Sequence, residues 1–198
     1  MTDILQTFVN NLETTTLTET IAVVFGVLSV WFARKENILV FPTGIISVIL
    51  YVYICIGAKL YADMGINVFY FVMSAYGWYN WTHQNGSSEE RQITRTSKKE
   101  KVYIIIALFT FFAILYFTLS NFTDSNVPII DSITTSIFLI GMWLMALKKV
   151  ENWTFWIVGD LISIPLYAYK GLILSSFQFT IFLILAIMGL IECRKRLN

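Results

Sequence analysis

Seven long apolar stretches, separated by short polar breaks, constrain this chain more than any other feature of its sequence. A helix that crosses a bilayer needs about 20 mostly apolar residues. The chain is 57% hydrophobic and 14% charged, whereas soluble domains are about 25% charged. We therefore predict an all-α integral membrane protein with seven transmembrane helices. The predicted spans are at about residues 18–33, 38–57, 60–81, 102–120, 131–147, 153–169 and 172–191.

Lysine and arginine are concentrated in alternate breaks between these stretches. Cytoplasmic segments of membrane proteins carry the excess of Lys and Arg. With seven spans and the N-terminus outside, twelve basic residues lie inside, against only Lys59 and Lys170 outside. One helix more or fewer would destroy this asymmetry, so the charges predict an outside N-terminus and a cytoplasmic C-terminus. The twelve are Arg34, Lys35, Arg91, Arg95, Lys98, Lys99, Lys101, Lys148, Lys149, Arg194, Lys195 and Arg196.

The sequence also contains an internal repeat. A Glu-Asn pair at residues 36–37 recurs at 151–152, and Gly77 recurs as Gly189, so aligning the halves requires small insertions. Three helices, a connector and three helices would run both triplets in one direction, as in transporters that bind substrate between parallel repeats. The alternative is a chance resemblance between apolar segments. We predict one transmembrane domain over 1–198, with repeat one at about 18–81, a cytoplasmic loop at 82–101, the connector at 102–120 and repeat two at about 131–193.

The sixth stretch carries an acid within an otherwise apolar run. At helical spacing, one face reads Trp153, Trp156, Asp160, Ser163 and Tyr167. A charged side chain at mid-bilayer costs at least about 2.5–3.5 kcal/mol, so it normally faces a cavity or a partner. The alternatives are a protonated carboxyl group, or one that bonds a neighbouring helix purely for packing. This face is the first candidate for a binding site.

Polar side chains in other stretches add to that candidate site. Asn67 and Tyr70 lie inside the third stretch, and Ser47 lies in the second. Small hydroxyl groups more often join helices than bind ligands. Together with Asp160, however, these residues favour a ligand with a flat ring and a positive charge, because aromatic faces and a carboxylate both attract cations.

Other function classes find little support. His83 is the only histidine and lies in the loop, while Cys55 and Cys193 are isolated thiols that match no metal or disulfide spacing. We expect no enzyme activity, no cofactor and no metal, and the net charge of +1 gives no indication of nucleic acid binding. Passive facilitation is the simplest mechanism, because no Walker motif or second buried acid is visible. A membrane receptor or vitamin-binding subunit that does not transport is the alternative.

Four segments resemble the PnuC vitamin transporter family: YGWYNW (76–81), DSITTSI (131–137), VENWTFW (150–156) and LYAYKGL (166–172). The resemblance extends over about residues 20–193. It implies a SWEET-like 3+1+3 helical bundle in the bacterial inner membrane, forming a homo-oligomer, a trimer, surrounded by lipid. It also implies facilitated diffusion of nicotinamide riboside, which cytoplasmic phosphorylation then traps.

The family's substrate motif, W-x-x-x-N, falls on Trp156 and Asp160 of this sequence. Typical riboside carriers of the family have Asn at the second of these places, and Gln where this chain has Asn67. The resemblance therefore implies nicotinamide riboside as the substrate and thiamine as the alternative. Both are cationic ring compounds that suit an acid at position 160.

Overall fold

A computed structural model of the protein describes residues 16–57, 59–83 and 91–197. This part of the chain forms seven α-helices, as predicted. Five of them, α1, α2, α4, α5 and α7, are long and apolar enough to cross a membrane by length and composition. The other two, α3 and α6, carry most of the predicted site residues. The helices are α1 (Leu17–Arg34), α2 (Val40–Gly57), α3 (Tyr61–Thr82), α4 (Lys98–Phe122), α5 (Pro128–Ala146), α6 (Asn152–Tyr169) and α7 (Ile173–Leu197).

The connector helix α4 begins earlier than the hydropathy pattern predicts. Ser97 accepts a hydrogen bond from the Glu100 backbone, and the Glu100 side chain accepts one from the Ser97 backbone. This reciprocal capping box stabilises a helix start in polar sequence. The helix therefore includes residues 98–101, which we expected in the cytoplasmic loop, and residues 84–90 of that loop lie outside the described part.

The helices pack as two triplets. In repeat one, α2 packs between α1 and α3, and in repeat two α6 packs between α5 and α7. The repeats meet along two seams, α1 against α7 and α3 against α5. The connector α4 packs on α5. Each seam joins the first helix of one repeat to the third helix of the other, which is the pattern of a pseudo-two-fold axis.

The register between the repeats is 112 residues throughout. Adding 112 to the bounds of α2, 40 and 57, gives those of α6, 152 and 169, and adding it to 61, the start of α3, gives 173, the start of α7. Residues with positive φ also pair at this offset: Glu36 (54°) with Lys148 (56°), and Lys59 (58°) with Gly171 (76°). No insertion is needed, so the Glu-Asn pairs at 36–37 and 151–152 are not equivalent. The turn geometry sets the register, and it pairs Glu36 with Lys148.

The packed core lies toward the end of the bundle that carries the twelve basic residues, which we name the basic end. The Phe41 ring lies where a Cβ on Gly77 would be, and the Trp153 ring lies where a Cβ on Gly189 would be. Trp81 packs edge-on against Phe41, with ring centroids 5.0 Å apart. Glycine at both positions lets aromatic rings from α2 and α6 contact the backbones of α3 and α7. The two repeats use the same device at equivalent positions.

Candidate substrate-binding site

Asp160 lies at the middle of α6 and is sealed from solvent. It is the ninth residue of an 18-residue helix, and 1% of its surface is exposed. Neither Oδ1 nor Oδ2 has a hydrogen-bond partner among the described residues. A buried carboxylate without a partner has a large desolvation penalty. A cationic group placed beside Asp160 would offset that penalty.

Polar groups from both repeats surround this acid. Ser163, one turn further along α6, is 1% exposed, and its Oγ has no hydrogen-bond partner within the described ranges. Tyr70, from α3 of repeat one, lies within Coulombic range of both Asp160 and Tyr167. The structure thus brings four of the predicted site residues, Asp160, Ser163, Tyr70 and Tyr167, into one neighbourhood of α3 and α6.

Aromatic rings of repeat two form an arc along this cluster. Trp156 is 5.6 Å from Phe138, measured between ring centroids. Phe138 stacks on Phe179 at 5.7 Å, and Phe179 stacks on Tyr167 at 4.9 Å. Trp156 and Tyr167 are both partly exposed, so they can offer ring surface to a flat ligand. Trp156 and Tyr167 were predicted as site residues from the sequence. Phe138 and Phe179 were not, because their positions depend on how α5 and α7 pack.

Pro165 loosens the turn of α6 that follows Asp160. Proline lacks an N–H group, so the carbonyl of Leu161 loses its usual helical donor. The carbonyl of Ile164, the residue before Pro165, accepts a hydrogen bond from Ser176 Oγ of α7 at 2.8 Å. The α7 side chain supports the weakened turn, while the Leu161 carbonyl adds an acceptor one residue from the acid.

Three other predicted site residues make contacts away from the acid. Ser47 is buried and donates its hydroxyl to the Ala22 carbonyl of α1 at 2.8 Å. Asn67 donates from Nδ2 to the Asp63 carbonyl of its own helix at 2.9 Å. Trp153 is buried in the core of the basic end. Their roles in substrate binding stay predictions.

Tyr51 and Gln178 are two residues that our set of site residues lacks. Tyr51 of α2 lies near Gln178 of α7 and near Tyr167 of α6. The sequence feature that could have indicated both residues is their polar character within apolar helices. Their proximity adds a second contribution from repeat one to the neighbourhood of the cluster.

One cavity lies away from this polar cluster, between α4 and α5. Its volume is about 520 Å³. The lining residues are Glu100, Tyr103, Ile104, Ile106, Ala107, Thr110, Phe111, Trp143, Leu144 and Leu147. This surface is apolar apart from its edge and contains none of the predicted site residues. It is a lateral groove on the outside of the bundle rather than a part of the polar cluster.

The fold and the site together define a class of protein, a multi-pass helical membrane transporter with parallel repeats. A profile of the family described as nicotinamide mononucleotide transporter matches residues 16–195. The chain belongs to this family, and the resemblance that the sequence motifs predicted is confirmed.

Relatives and a solved structure agree with this assignment. The chain is 26% identical over 196 residues to the nicotinamide riboside transporter PnuC of Escherichia coli K12, covering 86% of this chain and 82% of that protein. It is 28% identical over 153 residues to the protein of the same name from Neisseria mucosa, covering 75% of this chain and 58% of the relative. A crystal structure of the vitamin B3 transporter PnuC has the same fold, with a TM-score of 0.71 and 24% identity over 97% of this chain and 87% of the other.

Proposed function

We propose that this protein moves nicotinamide riboside across the bacterial plasma membrane by facilitated diffusion. The observation that carries the proposal is Asp160, a buried acid without a protein partner among the described residues, next to partly exposed aromatic rings. Nicotinamide riboside has a flat cationic ring, and a carboxylate and aromatic faces both stabilise such a cation. The relatives named as nicotinamide riboside transporters support the same substrate.

Each part of the substrate has a candidate partner. Asp160 would neutralise the charge of the ring, and Trp156 would stack against it. Ser163, Tyr70 and Tyr167 would bond the hydroxyl groups of the ribose. Asn67, Ser47 and Trp153 remain further candidates from the sequence analysis.

The basic end faces the cytoplasm in this proposal. Twelve basic residues at that end, against Lys59 and Lys170 at the other, satisfy the positive-inside rule. The N-terminus is then outside and the C-terminus is cytoplasmic. The protein would act as a trimer of carriers rather than as an enzyme, and a cytoplasmic kinase would trap the transported riboside by phosphorylation.

Thiamine is the alternative substrate within the same mechanism. It also carries a cationic ring, and Asp160 and Asn67 stand where the family pattern has Asn and Gln. Substituting Asp160→Asn should preserve membrane insertion and change the preference between the two vitamins. Unchanged selectivity in this variant would contradict the role of the charge.

Counterflow in proteoliposomes tests the proposal. Vesicles loaded with unlabelled nicotinamide riboside should accumulate the labelled compound from outside, without ATP or an ion gradient. Vesicles loaded with thiamine provide the comparison of substrates, and protein-free vesicles provide the control. Absence of exchange with either vitamin would overturn the transport proposal. Binding without exchange would identify a receptor or binding subunit.

A further inference from the structure

The two seams between the repeats are joined by polar contacts at the basic end. On the α1–α7 seam, Arg34 forms an ion pair with Glu192, with Nη2 2.7 Å from Oε1; Nε of the same guanidinium also donates to Oε1 at 2.9 Å. On the α3–α5 seam, Asn80 donates from Nδ2 to the Ala146 carbonyl at 2.8 Å. Each contact connects one repeat to the other.

These two contacts are equivalent under the repeat. Adding 112 to 34 gives 146, and adding 112 to 80 gives 192, which is the register of the helix bounds. The same pair of positions is therefore used twice, once as a guanidinium with a carboxylate and once as a carbonyl with an amide. Recurrence at equivalent positions, with different chemistry, indicates a structural requirement at this depth rather than a chance surface contact.

Further contacts reinforce both seams. Trp81 donates from Nε1 to the Met145 carbonyl at 3.0 Å, and Arg196 pairs with Glu36 at 3.1 Å. Arg91, which follows α3 in the chain, donates to Asn80 Oδ1 at 2.7 Å and so orients the amide that bonds across the α3–α5 seam. Trp81 itself is 4% exposed and belongs to the core that fills this end of the bundle.

The opposite end shows a different arrangement. Its ion pair, Lys170 with Asp131 at 2.6 Å, joins α5 to the turn after α6, within repeat two. Asp131 also accepts a hydrogen bond from Ser125 at 2.7 Å, in the segment that leads into α5. These bonds hold one repeat together, whereas those at the basic end tie the repeats to each other.

We propose that Arg34–Glu192 and Asn80–Ala146 are the two halves of the gate on the basic side, and that transport requires both to separate. The inference rests on the proposed function, since a gate has a role only in a carrier. Between Asp160 and the basic side lies the core that Trp81, Phe41 and Trp153 fill, and Trp81 bonds across the α3–α5 seam, so substrate can leave on this side only if the core opens. Rocking one repeat against the other around a central site would open that path.

Reversible cross-linking tests the gate during transport. Arg34→Cys with Glu192→Cys is made in a background where the free thiols Cys55 and Cys193 are replaced by Ala. A short bifunctional methanethiosulfonate should lower nicotinamide riboside counterflow at least tenfold, and reduction should restore it. Binding measured by calorimetry should change less than threefold, because the cross-link restrains only the basic end and leaves the acid and the rings of the site in place.

A matched control uses an ion pair at the same end that lies outside both seams. Lys149 and Glu100 are 2.8 Å apart and link α4 to the α5–α6 turn. Cross-linking Glu100→Cys with Lys149→Cys should leave counterflow within twofold of the reduced protein. Equal counterflow in the reduced and cross-linked 34/192 protein would overturn the gate.

A second readout does not depend on the transported molecule. Ser163→Cys, in the same thiol-free background, places one thiol in the site. Adding Glu192→Gln should increase its labelling by a membrane-impermeant maleimide from the basic side at least fivefold, while Glu100→Gln should leave the rate unchanged. Equal labelling with and without Glu192→Gln would overturn the gate. If the wild type exchanges neither vitamin, the proposed function fails, and the labelling rates still decide whether the seams open.

Discussion

Helices α2 and α6 occupy equivalent places in the two repeats, yet their side chains at mid-depth differ in kind. Both have 18 residues, and both pack between the other two helices of their triplet. At these positions α6 has a tryptophan, an aspartate and a serine. The equivalent positions of α2 have a glycine, a valine and a tyrosine. Trp156 corresponds to Gly44, Asp160 to Val48 and Ser163 to Tyr51.

Two buried serines show what this difference means. Ser47 of α2 donates to the Ala22 carbonyl, so its hydroxyl joins two helices of one repeat. Ser163 of α6 is equally sealed, but its Oγ has no partner in the part of the chain that the structure describes. Helix α2 uses Ser47 for packing, whereas α6 leaves the polar atoms of Asp160 and Ser163 available. A nearly symmetric frame therefore carries different polar groups in its two halves, and we propose that substrate recognition is concentrated in repeat two.

The largest effect should come from making α6 resemble α2 at the acid. Asp160→Val introduces the residue of the equivalent position, Val48, and removes the charge that we propose to face the cationic ring. Losing one partner of a buried charged pair costs about 2–5 kcal/mol, and each 1.4 kcal/mol is tenfold in affinity. Nicotinamide riboside should bind at least about 30-fold more weakly in calorimetry. Val48→Ile is the matched control. A comparable loss of affinity in both variants would contradict the idea that α6, and not α2, supplies the acid of the site.

An intermediate effect is expected where α6 has Trp156 and α2 has Gly44. Trp156→Ala removes the ring that would stack on the substrate, and interactions of a cation with an aromatic face contribute about 0.5–2 kcal/mol. We expect roughly tenfold weaker binding of nicotinamide riboside by calorimetry, with Trp156→Phe recovering most of it. If Trp156→Ala binds as the wild type does, the ring belongs to the packing of α5 and α6 instead.

The smallest effects should distinguish the two serines, because one variant should change substrate affinity and the other should change stability. Ser163→Ala would remove the hydrogen bond that we propose to substrate, about 1 kcal/mol, so binding should weaken roughly fivefold with little change in thermal stability. Ser47→Ala breaks the bond to Ala22 and should lower the free energy of unfolding by about 1 kcal/mol while affinity stays within twofold. The two measurements are ligand titration and thermal unfolding. Reversed outcomes would place the site nearer repeat one.

The helices and the ends of the bundle could be predicted from the sequence because they depend on composition. Apolar runs located all seven helices, and the uneven distribution of Lys and Arg identified one basic end. Asp160 stood out because a carboxylate within an apolar helix is costly. Its place on one face with Ser163 and Tyr167 followed from helical spacing alone.

The register of the repeat needed the structure. The Glu-Asn pairs suggested one alignment and the Gly77–Gly189 pair another, and short similarities cannot decide between them. The turns decide it, because Glu36 and Lys148 share positive φ although their side chains have opposite charge. The halves share backbone geometry at positions where they do not share side-chain identity.

Contacts to backbone carbonyls also escaped sequence reasoning. Ser47 and Asn80 use partners, Ala22 and Ala146, that contribute only a carbonyl oxygen, and any residue could supply it. Trp153 shares the polar face of α6 in the helical pattern, but Gly189 makes room for it in the core. Such pairings depend on which backbones approach each other, and no periodic pattern within one helix records that.

The most direct test of the account pairs the charge of Asp160 with the charge of the substrate. Nicotinamide riboside has a cationic ring, whereas its dihydro form has a neutral ring and the same ribose. Calorimetry would measure both ligands with the wild type and with Asp160→Asn. We predict that the wild type prefers the cationic ligand at least tenfold, about 1.4 kcal/mol, and that Asp160→Asn removes this preference. An equal preference in both proteins would contradict the claim that Asp160 recognises the cationic ring.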